Sequence, residues 1–324
     1  MSQQTRVETV MPYWESWLAR YPTVEALAQA DQDDVLKSWE GLGYYSRARN
    51  LHSGATVVRE RFGGHLPRTT AELLEIPGIG PYTAGAIASI AFGEPVPAID
   101  GNVRRVFSRL FDLPDPSAGE LRQLGEALVD PNRPGDFNQA VMELGATVCA
   151  PRSPSCGDCP VRSQCRSLAA GTVGDRPQRK KKAPVPSGLF LTTVLLRDDE
   201  VLVVKRGPGL LQGLWSFPEE AVEGGAGHEG GAGAGGAGAA RRLAADLGAR
   251  PSGKSRLLGE VEHVFSHLKA TYRVTLLSVS AEDSTDHNLS LRGATWIPLH
   301  RVDDLALPTG QKRILEMLRR YLMD

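Results

Sequence analysis

The sequence predicts a multidomain protein whose first half is all-α and whose second half is α+β. From residue 5 to about residue 147, apolar residues recur at spacings of three and four, and segments rich in Gly, Pro and Asn interrupt them. This periodicity is typical of successive amphipathic helices. The second half ends in a helix from about Thr309, which follows short β-rich runs at Leu189–Leu196, Val201–Val204 and Thr271–Val279.

Local signals predict where the elements and domains begin and end. Thr5 and Glu8 have the spacing of a capping box, which predicts the start of the first helix. Residues 174–187 combine basic residues with three prolines and predict an exposed linker. Residues 224–240 are mostly Gly and Ala and predict a flexible loop insertion, because ordering glycine is entropically costly. The predicted domains are therefore residues 1–173 and 188–324.

The composition is that of a soluble globular protein, with 41% hydrophobic and 23% charged residues among 324. No apolar run approaches the ~20 residues that span a bilayer, and the N-terminus lacks the features of a signal peptide. We therefore expect a cytoplasmic protein without a membrane partner. The net charge of −1 leaves nucleic-acid binding open.

All four cysteines fall in one Pro- and Gly-containing segment with the spacing C-x6-C-x2-C-x5-C; they are Cys149, Cys156, Cys159 and Cys165. Four thiolates in a tightly turning loop can converge on one metal centre. Two disulfides are disfavoured in a chain without secretory features. Zinc remains an alternative to an iron-sulfur cluster, since zinc also binds sets of four thiolates.

Gly78, Ile79 and Gly80 lie between two predicted helices. Two glycines around one apolar residue permit a tight turn, after which backbone N–H groups can hold a DNA phosphate. An ordinary helix-helix turn would have the same pattern. Together, this hairpin and the cysteine spacing resemble the endonuclease III and MutY group of helix-hairpin-helix DNA glycosylases. The resemblance implies a 4Fe-4S cluster on the four cysteines and a monovalent cation against the hairpin carbonyls.

The chemistry that the resemblance implies centres on Asp100. A carboxylate stabilises the oxocarbenium character that develops on a sugar when its N-glycosidic bond breaks. On spacing alone, a plain helix N-cap is the favoured interpretation of Asp100; the segment Val96–Asn102, however, resembles the one that carries the catalytic Asp in MutY. Tyr82 stands where endonuclease III-type enzymes have the lysine that forms a Schiff base. The chain thus resembles the monofunctional MutY type rather than a glycosylase/lyase, with Tyr82 and Asn102 assisting Asp100.

Two further segments resemble MutY, namely Gln3–Thr5 and Gly41–Asn50. In them, Gln4 and Tyr44 would wedge into the base stack around the lesion. The alternative for Tyr44 is a place in the core beside Tyr45.

The second half resembles the Nudix-like C-terminal domain of MutY at Gly209–Pro218 and Glu262–Leu268. The resemblance implies that Phe265, Ser266 and His267 read 8-oxoguanine opposite adenine. A Nudix hydrolase also needs a glutamate-rich helix for Mg²⁺, and residues 241–248 have lost most of those carboxylates. Nucleotide hydrolysis is therefore not expected.

The function that the resemblance implies is base excision repair by a monomeric adenine DNA glycosylase, a hydrolase that removes adenine opposite 8-oxoguanine or guanine in double-stranded DNA. In the family a glutamate upstream of the Gln3–Thr5 pattern protonates adenine, and that pattern places it two residues before Met1. The alternative is therefore a catalytically impaired lesion-binding protein. Glu8 is expected on the next helix and is not a substitute.

Overall fold

The computed structural model describes residues 1–2, 5–178, 184–222, 234–280 and 293–324. The chain forms two compact units. Unit 1 combines Met1–His52 with Ala183–Asp324, and unit 2 consists of Ser53–Lys182. Both ends of the chain therefore contribute to unit 1, whereas unit 2 is one continuous segment. The domain boundaries expected from composition stay a prediction.

The first half is all-α, as predicted. Its helices in unit 1 are α1 (Val7–Arg20), α2 (Val24–Gln29), α3 (Gln32–Ser38) and the start of α4 (Ser46–Phe62). The predicted capping box is wrong, because α1 begins at Val7 with Arg6 as an N-cap that makes no side-chain bond. The hydroxyl of Thr5 instead accepts a hydrogen bond from the Arg47 guanidinium at 3.2 Å.

Unit 2 continues α4 and then consists of short helices joined by turns. These helices are α5 (Thr70–Leu73), α6 (Pro81–Phe92), α7 (Gly101–Leu110), α8 (Ala118–Leu128), α9 (Pro134–Glu143) and α10 (Arg166–Ala170). A π-helical turn, Leu144–Val148, leads from α9 into the cysteine segment. A core around Val106 and Phe107 of α7 packs against α8 and α9, so α7 lies at the centre of this unit.

The second half is α+β, as predicted. The strands of its described residues are β1 (Ser187–Arg197), β2 (Glu200–Lys205), β3 (Trp215–Ser216), β4 (Glu219–Ala221), β5 (Arg256–Val264), β6 (Lys269–Ser278) and β7 (Ala294–Pro298). They form a mixed sheet in the order β3-β2-β1-β6-β5, with β4 on β1 and β7 on β2. The central β1–β6 pair is parallel and the other pairs are antiparallel. The terminal helix α12 (Thr309–Met323) begins where it was predicted.

Part of the Gly/Ala segment is helical. Helix α11 spans Ala234–Asp246, so residues 234–240 are not the loop that composition predicts, and residues 223–233 lie outside the described part. Ala240 and Ala244 are buried in one cluster with Leu195 and Leu277 of the sheet. Alanine has the highest helix propensity, and burial against the sheet adds to the stability of the helix.

Two carboxylates join the N-terminal helices to the C-terminal half within unit 1. Glu40 accepts a hydrogen bond from the backbone N–H of Leu307 at 3.0 Å and forms an ion pair with Lys312 at 2.7 Å. Asp33 accepts a hydrogen bond from the Trp215 indole at 3.2 Å and pairs with Lys205 at 2.6 Å. Residues at opposite ends of the chain are thereby held in one unit. None of the described helices has both the length and the apolar composition required to cross a bilayer.

Candidate active site

The hairpin between α5 and α6 has the geometry that its glycines predict. Gly78 has a φ of +85°, a conformation that side chains disfavour, and Gly80 is the N-cap of α6 with Pro81 as the first helical residue. The first N–H groups of a helix have no acceptor within it. Because Gly80 and Pro81 are exposed, the end of α6 is accessible to an anion.

Asp100 is the N-cap of α7, as its spacing favoured. One carboxylate oxygen accepts the backbone N–H of Val103 at 2.7 Å, and the other lies 3.3 Å from the side-chain amide of Asn102, which donates to it. The cap bond fixes the orientation of the carboxylate. Capping and catalysis are compatible here, because the same carboxylate also lines a cavity.

The cavity beside Asp100 has a volume of about 830 Å³ and lies wholly within unit 2. Tyr82 of α6 also lines it, so the structure brings these two predicted residues to one site. The Tyr82 hydroxyl donates to the sulfur of Met142 at 3.3 Å. Burial, and next the negative charge of Asp100, raise the pKa of Tyr82. Tyr82 is therefore a neutral hydroxyl at ordinary pH.

A hydrogen-bond network leads from Asp100 to the cysteine segment. The side-chain oxygen of Asn102 accepts from the Arg105 guanidinium at 2.9 Å. The same guanidinium donates to the carbonyl oxygens of Gly145 at 2.6 Å and Cys149 at 2.7 Å. The Asn102 side chain thus lies between Asp100 and Arg105 and is hydrogen-bonded to both.

The four cysteines are free, partly buried, and line one small cavity of about 30 Å³. Burial, followed by the charges of the three other thiols, raises the pKa of Cys156. Arg109 of α7 donates to the sulfur of Cys149 at 3.4 Å and to the carbonyl of Ala150 at 2.7 Å. Within the described residues, no three His, Cys, Asp or Glu side chains are arranged as ligands of a metal ion.

Sequence reasoning missed Asn138 of α9. Its side chain is 3% exposed and hydrogen-bonds the backbone of the segment that leads to Asp100. A polar residue on the inward face of an amphipathic helix, four residues after the buried Pro134, was the available signal. Its partners lie 40 or more residues away along the chain, so the pattern could not identify them.

In unit 1, the predicted lesion-reading residues surround a second cavity of about 450 Å³. Tyr44 lines it together with Phe265, Ser266 and His267. Tyr44 is 51% exposed with a φ of +45°, whereas Tyr45 is 7% exposed, so only the second of the two tyrosines is a core residue. The Ser266 hydroxyl lies 3.3 Å from Nδ1 of His267. The remaining predicted wedge, Gln4, lies outside the described residues.

Comparison with known proteins gives two family matches. Residues 1–131 match the model of the HhH-GPD superfamily base excision DNA repair protein, and residues 192–317 match the NUDIX domain. The adenine DNA glycosylase of Homo sapiens is 38% identical over 98% of this chain and 66% of its own length. That of Rattus norvegicus is 37% identical over 99% of this chain and 70% of its own. That of Buchnera aphidicola subsp. Schizaphis graminum is 35% identical over 98% of this chain and 89% of its own length.

The close approach of α6 to the segment before Asp100 gives a testable prediction. A Cβ added to Gly85 would lie 2.5 Å from the backbone oxygen of Pro97, so Gly85→Ala must displace that segment. We expect a free energy of unfolding lower by about 1–3 kcal/mol, measured by urea denaturation. Gly119→Ala is the matched control, since its Cβ meets nothing closer than 4.0 Å. Equal stabilities of the two variants would contradict the packing described.

Proposed function

The chain belongs to the adenine DNA glycosylase family, the DNA N-glycosylases of base excision repair, and from this premise we propose that it hydrolyses the N-glycosidic bond of adenine opposite 8-oxoguanine or guanine in double-stranded DNA. The observation that carries the proposal is the cavity of unit 2, where Asp100 and Tyr82 face the same space. The alternative is binding of the lesion without base release. The two functions differ in whether adenine is released, which can be measured.

Asp100 stabilises the sugar as the bond to adenine breaks. Positive charge develops on the sugar in that transition state, and a carboxylate already held in place stabilises the charge without reorganising. The hydrogen bonds from Val103 and Asn102 supply that orientation, because they leave the carboxylate little rotational freedom. Tyr82 contributes an uncharged hydroxyl beside the same cavity, consistent with its raised pKa.

The hairpin holds the DNA backbone. A phosphate at the start of α6 would meet unsatisfied N–H groups and the positive end of the helix dipole, without needing a side-chain charge. Gly78, Ile79 and Gly80 provide the close approach, and a monovalent cation against the hairpin carbonyls would add positive charge there.

The cysteine segment fits a 4Fe-4S cluster. Burial, and next the charges of the neighbouring thiols, raise the pKa of Cys156, and a cationic centre offsets both penalties on the thiolates. The four sulfurs line one small cavity, so these residues together would hold the group. The group would act structurally, by holding the loop that carries Arg152 and Arg162 in one conformation near the DNA.

The cavity of unit 1 would receive 8-oxoguanine. Tyr44 is half exposed at its rim and can stack on a base, while Ser266 and His267 supply hydrogen-bonding groups opposite. The carbonyl and N–H that distinguish 8-oxoguanine from guanine are partners for such groups. Specificity for the oxidised base would therefore come from unit 1 and the chemistry from unit 2.

The first prediction for this function concerns Asp100→Asn. Asparagine also caps helices, so the fold is retained while the charge is lost. In single-turnover assays on an 8-oxoguanine:A duplex, we expect adenine release to slow by about 10³-fold, with affinity for the duplex preserved. Asp130→Asn is the matched control: Asp130 is an exposed acceptor of backbone N–H groups in the same unit.

An unchanged rate in Asp100→Asn would remove Asp100 from the mechanism. If the unaltered chain binds the duplex tightly but releases no adenine, the lesion-binding alternative is correct instead.

The second prediction concerns lesion recognition. In the Asp100→Asn background, which prevents turnover, Ser266→Ala or His267→Ala should lower affinity for an 8-oxoguanine:A duplex by about five- to tenfold and leave G:A binding unchanged. Equilibrium binding to both duplexes measures the effect. His300→Ala, an exposed histidine of the same unit, is the control. Equal losses on both duplexes would show that these residues contribute to general DNA affinity and not to specificity.

The third prediction concerns the cofactor. Protein purified without oxygen should contain about four iron atoms and an equal amount of acid-labile sulfide per chain. Cys156→Ser should lose much of both, whereas Ser155→Ala at the neighbouring position should retain them. One zinc ion per chain, with no iron, would overturn the assignment in favour of the zinc alternative.

A further inference from the structure

The segment that delivers Asp100 to the cavity pairs with no strand in the described part of the chain. It joins α6 to α7 and contains Pro95 and Pro97, which have no N–H groups. Between them and Asp100 lies Ala98, which is fully buried. A buried N–H or carbonyl requires a hydrogen-bond partner. The two prolines leave one edge of the segment without donors, and no described strand lies along the other edge, where the N–H of Ala98 and the carbonyl of Val96 need partners.

Asn138 supplies those partners with a single side chain. Its Oδ1 accepts the backbone N–H of Ala98 at 2.9 Å, and its Nδ2 donates to the carbonyl of Val96 at 2.9 Å. The second hydrogen of Nδ2 is donated to the Ser89 hydroxyl at 2.8 Å. The amide thus bridges one backbone donor and one backbone acceptor, as a neighbouring strand would, on both sides of Pro97.

The same segment is enclosed by two helices. Gly85 of α6 allows the backbone oxygen of Pro97 to approach closely, and Gly125 of α8 does the same for the Pro97 ring, which lies 2.5 Å from where a Cβ would be. Packing therefore limits movement toward α6 and α8, and the Asn138 bonds limit movement away from α9. Asp100 lies two residues beyond Ala98, so its backbone position follows from these contacts.

We propose that Asn138 is a positioning residue, which sets the location of the Asp100 carboxylate relative to the reacting sugar; this rests on the function proposed for Asp100. Asn138 does not line the cavity and touches no reacting group. Its effect is transmitted through Ala98 to the start of α7. Displacements of about 1 Å in a catalytic group can reduce a rate by 10²-fold, so loss of these bonds should reach the chemistry.

The test uses the full chain and the substitution Asn138→Asp, which keeps the acceptor for Ala98 and removes both donated bonds. Gln139→Glu is the matched control, because it makes the same amide-to-acid change at the next, exposed residue of α9. Two uncleavable duplexes are compared, one with a cationic pyrrolidine and one with a neutral tetrahydrofuran in place of the adenosine sugar. The ratio of the two affinities reports how well Asp100 meets positive charge.

We expect Asn138→Asp to lower the preference for the cationic duplex by about tenfold or more, with affinity for the neutral duplex within about twofold of the unaltered chain. Gln139→Glu should change neither value. A merely structural role would lower both affinities together, because it reduces only the folded fraction. Asn138→Ser is measured in the same way, so that a folding defect of one variant does not decide the outcome.

Asp100→Asn is the reference for the proposed function. If it removes the cationic preference while Asn138→Asp and Asn138→Ser retain it, Asn138 has no positioning role and the proposed function stands. If Asp100→Asn itself retains the preference, Asp100 is not the group that meets the sugar charge, and both proposals fall.

Discussion

One buried guanidinium joins three parts of unit 2. Arg105 is 9% exposed, and its donors reach Asn102, Gly145 and Cys149. A charged group of this size can be buried only if its N–H groups are matched with acceptors. Helix α7, the π-helical turn and the cysteine segment therefore have one compatible arrangement, and the Asp100 end of α7 is fixed by the same contacts. A change in the cysteine segment has a short, fully hydrogen-bonded route to the candidate active site.

Unit 1 also depends on charged side chains with several partners, but there the central groups are anions. There the organising groups are carboxylates, Glu40 and Asp33, each paired with cations and N–H donors of the C-terminal half. These contacts hold the loop with Tyr44 on the same cavity as Phe265 and His267. Lesion recognition, as proposed, is thus assembled from residues that are far apart in the chain, whereas the chemistry depends on one continuous segment.

Short-range patterns predicted much of this structure. The periodicity of apolar residues predicted the helices, and the two glycines predicted the hairpin. The place of Asp100 just before α7 favoured the helix cap that it forms. What could not be predicted depends on distant partners. Arg47 takes the hydroxyl of Thr5 that the capping box required, and burial against the sheet turns the Ala-rich part of the 224–240 segment into a helix. In the sequence, Asn138 is an ordinary polar residue of a helix. Its role depends on hydrogen bonds to residues 40 or more positions away, which the sequence pattern does not reveal.

Unit 1 is built from two separate segments of the chain, and this affects the order in which its parts can fold during synthesis. Lys37 donates to the carbonyl oxygen of Leu305, 268 residues later, so the helices synthesised first gain these partners last. Unit 2 is one continuous segment, so all of its internal partners have been synthesised by residue 182, whereas the partners of α1–α3 in β1 to β7 and α12 come later. During that interval their apolar surfaces are available to chaperones and to other nascent chains. A premature stop codon in the C-terminal half would consequently damage both ends of the protein, because it also removes the partners of the N-terminal helices.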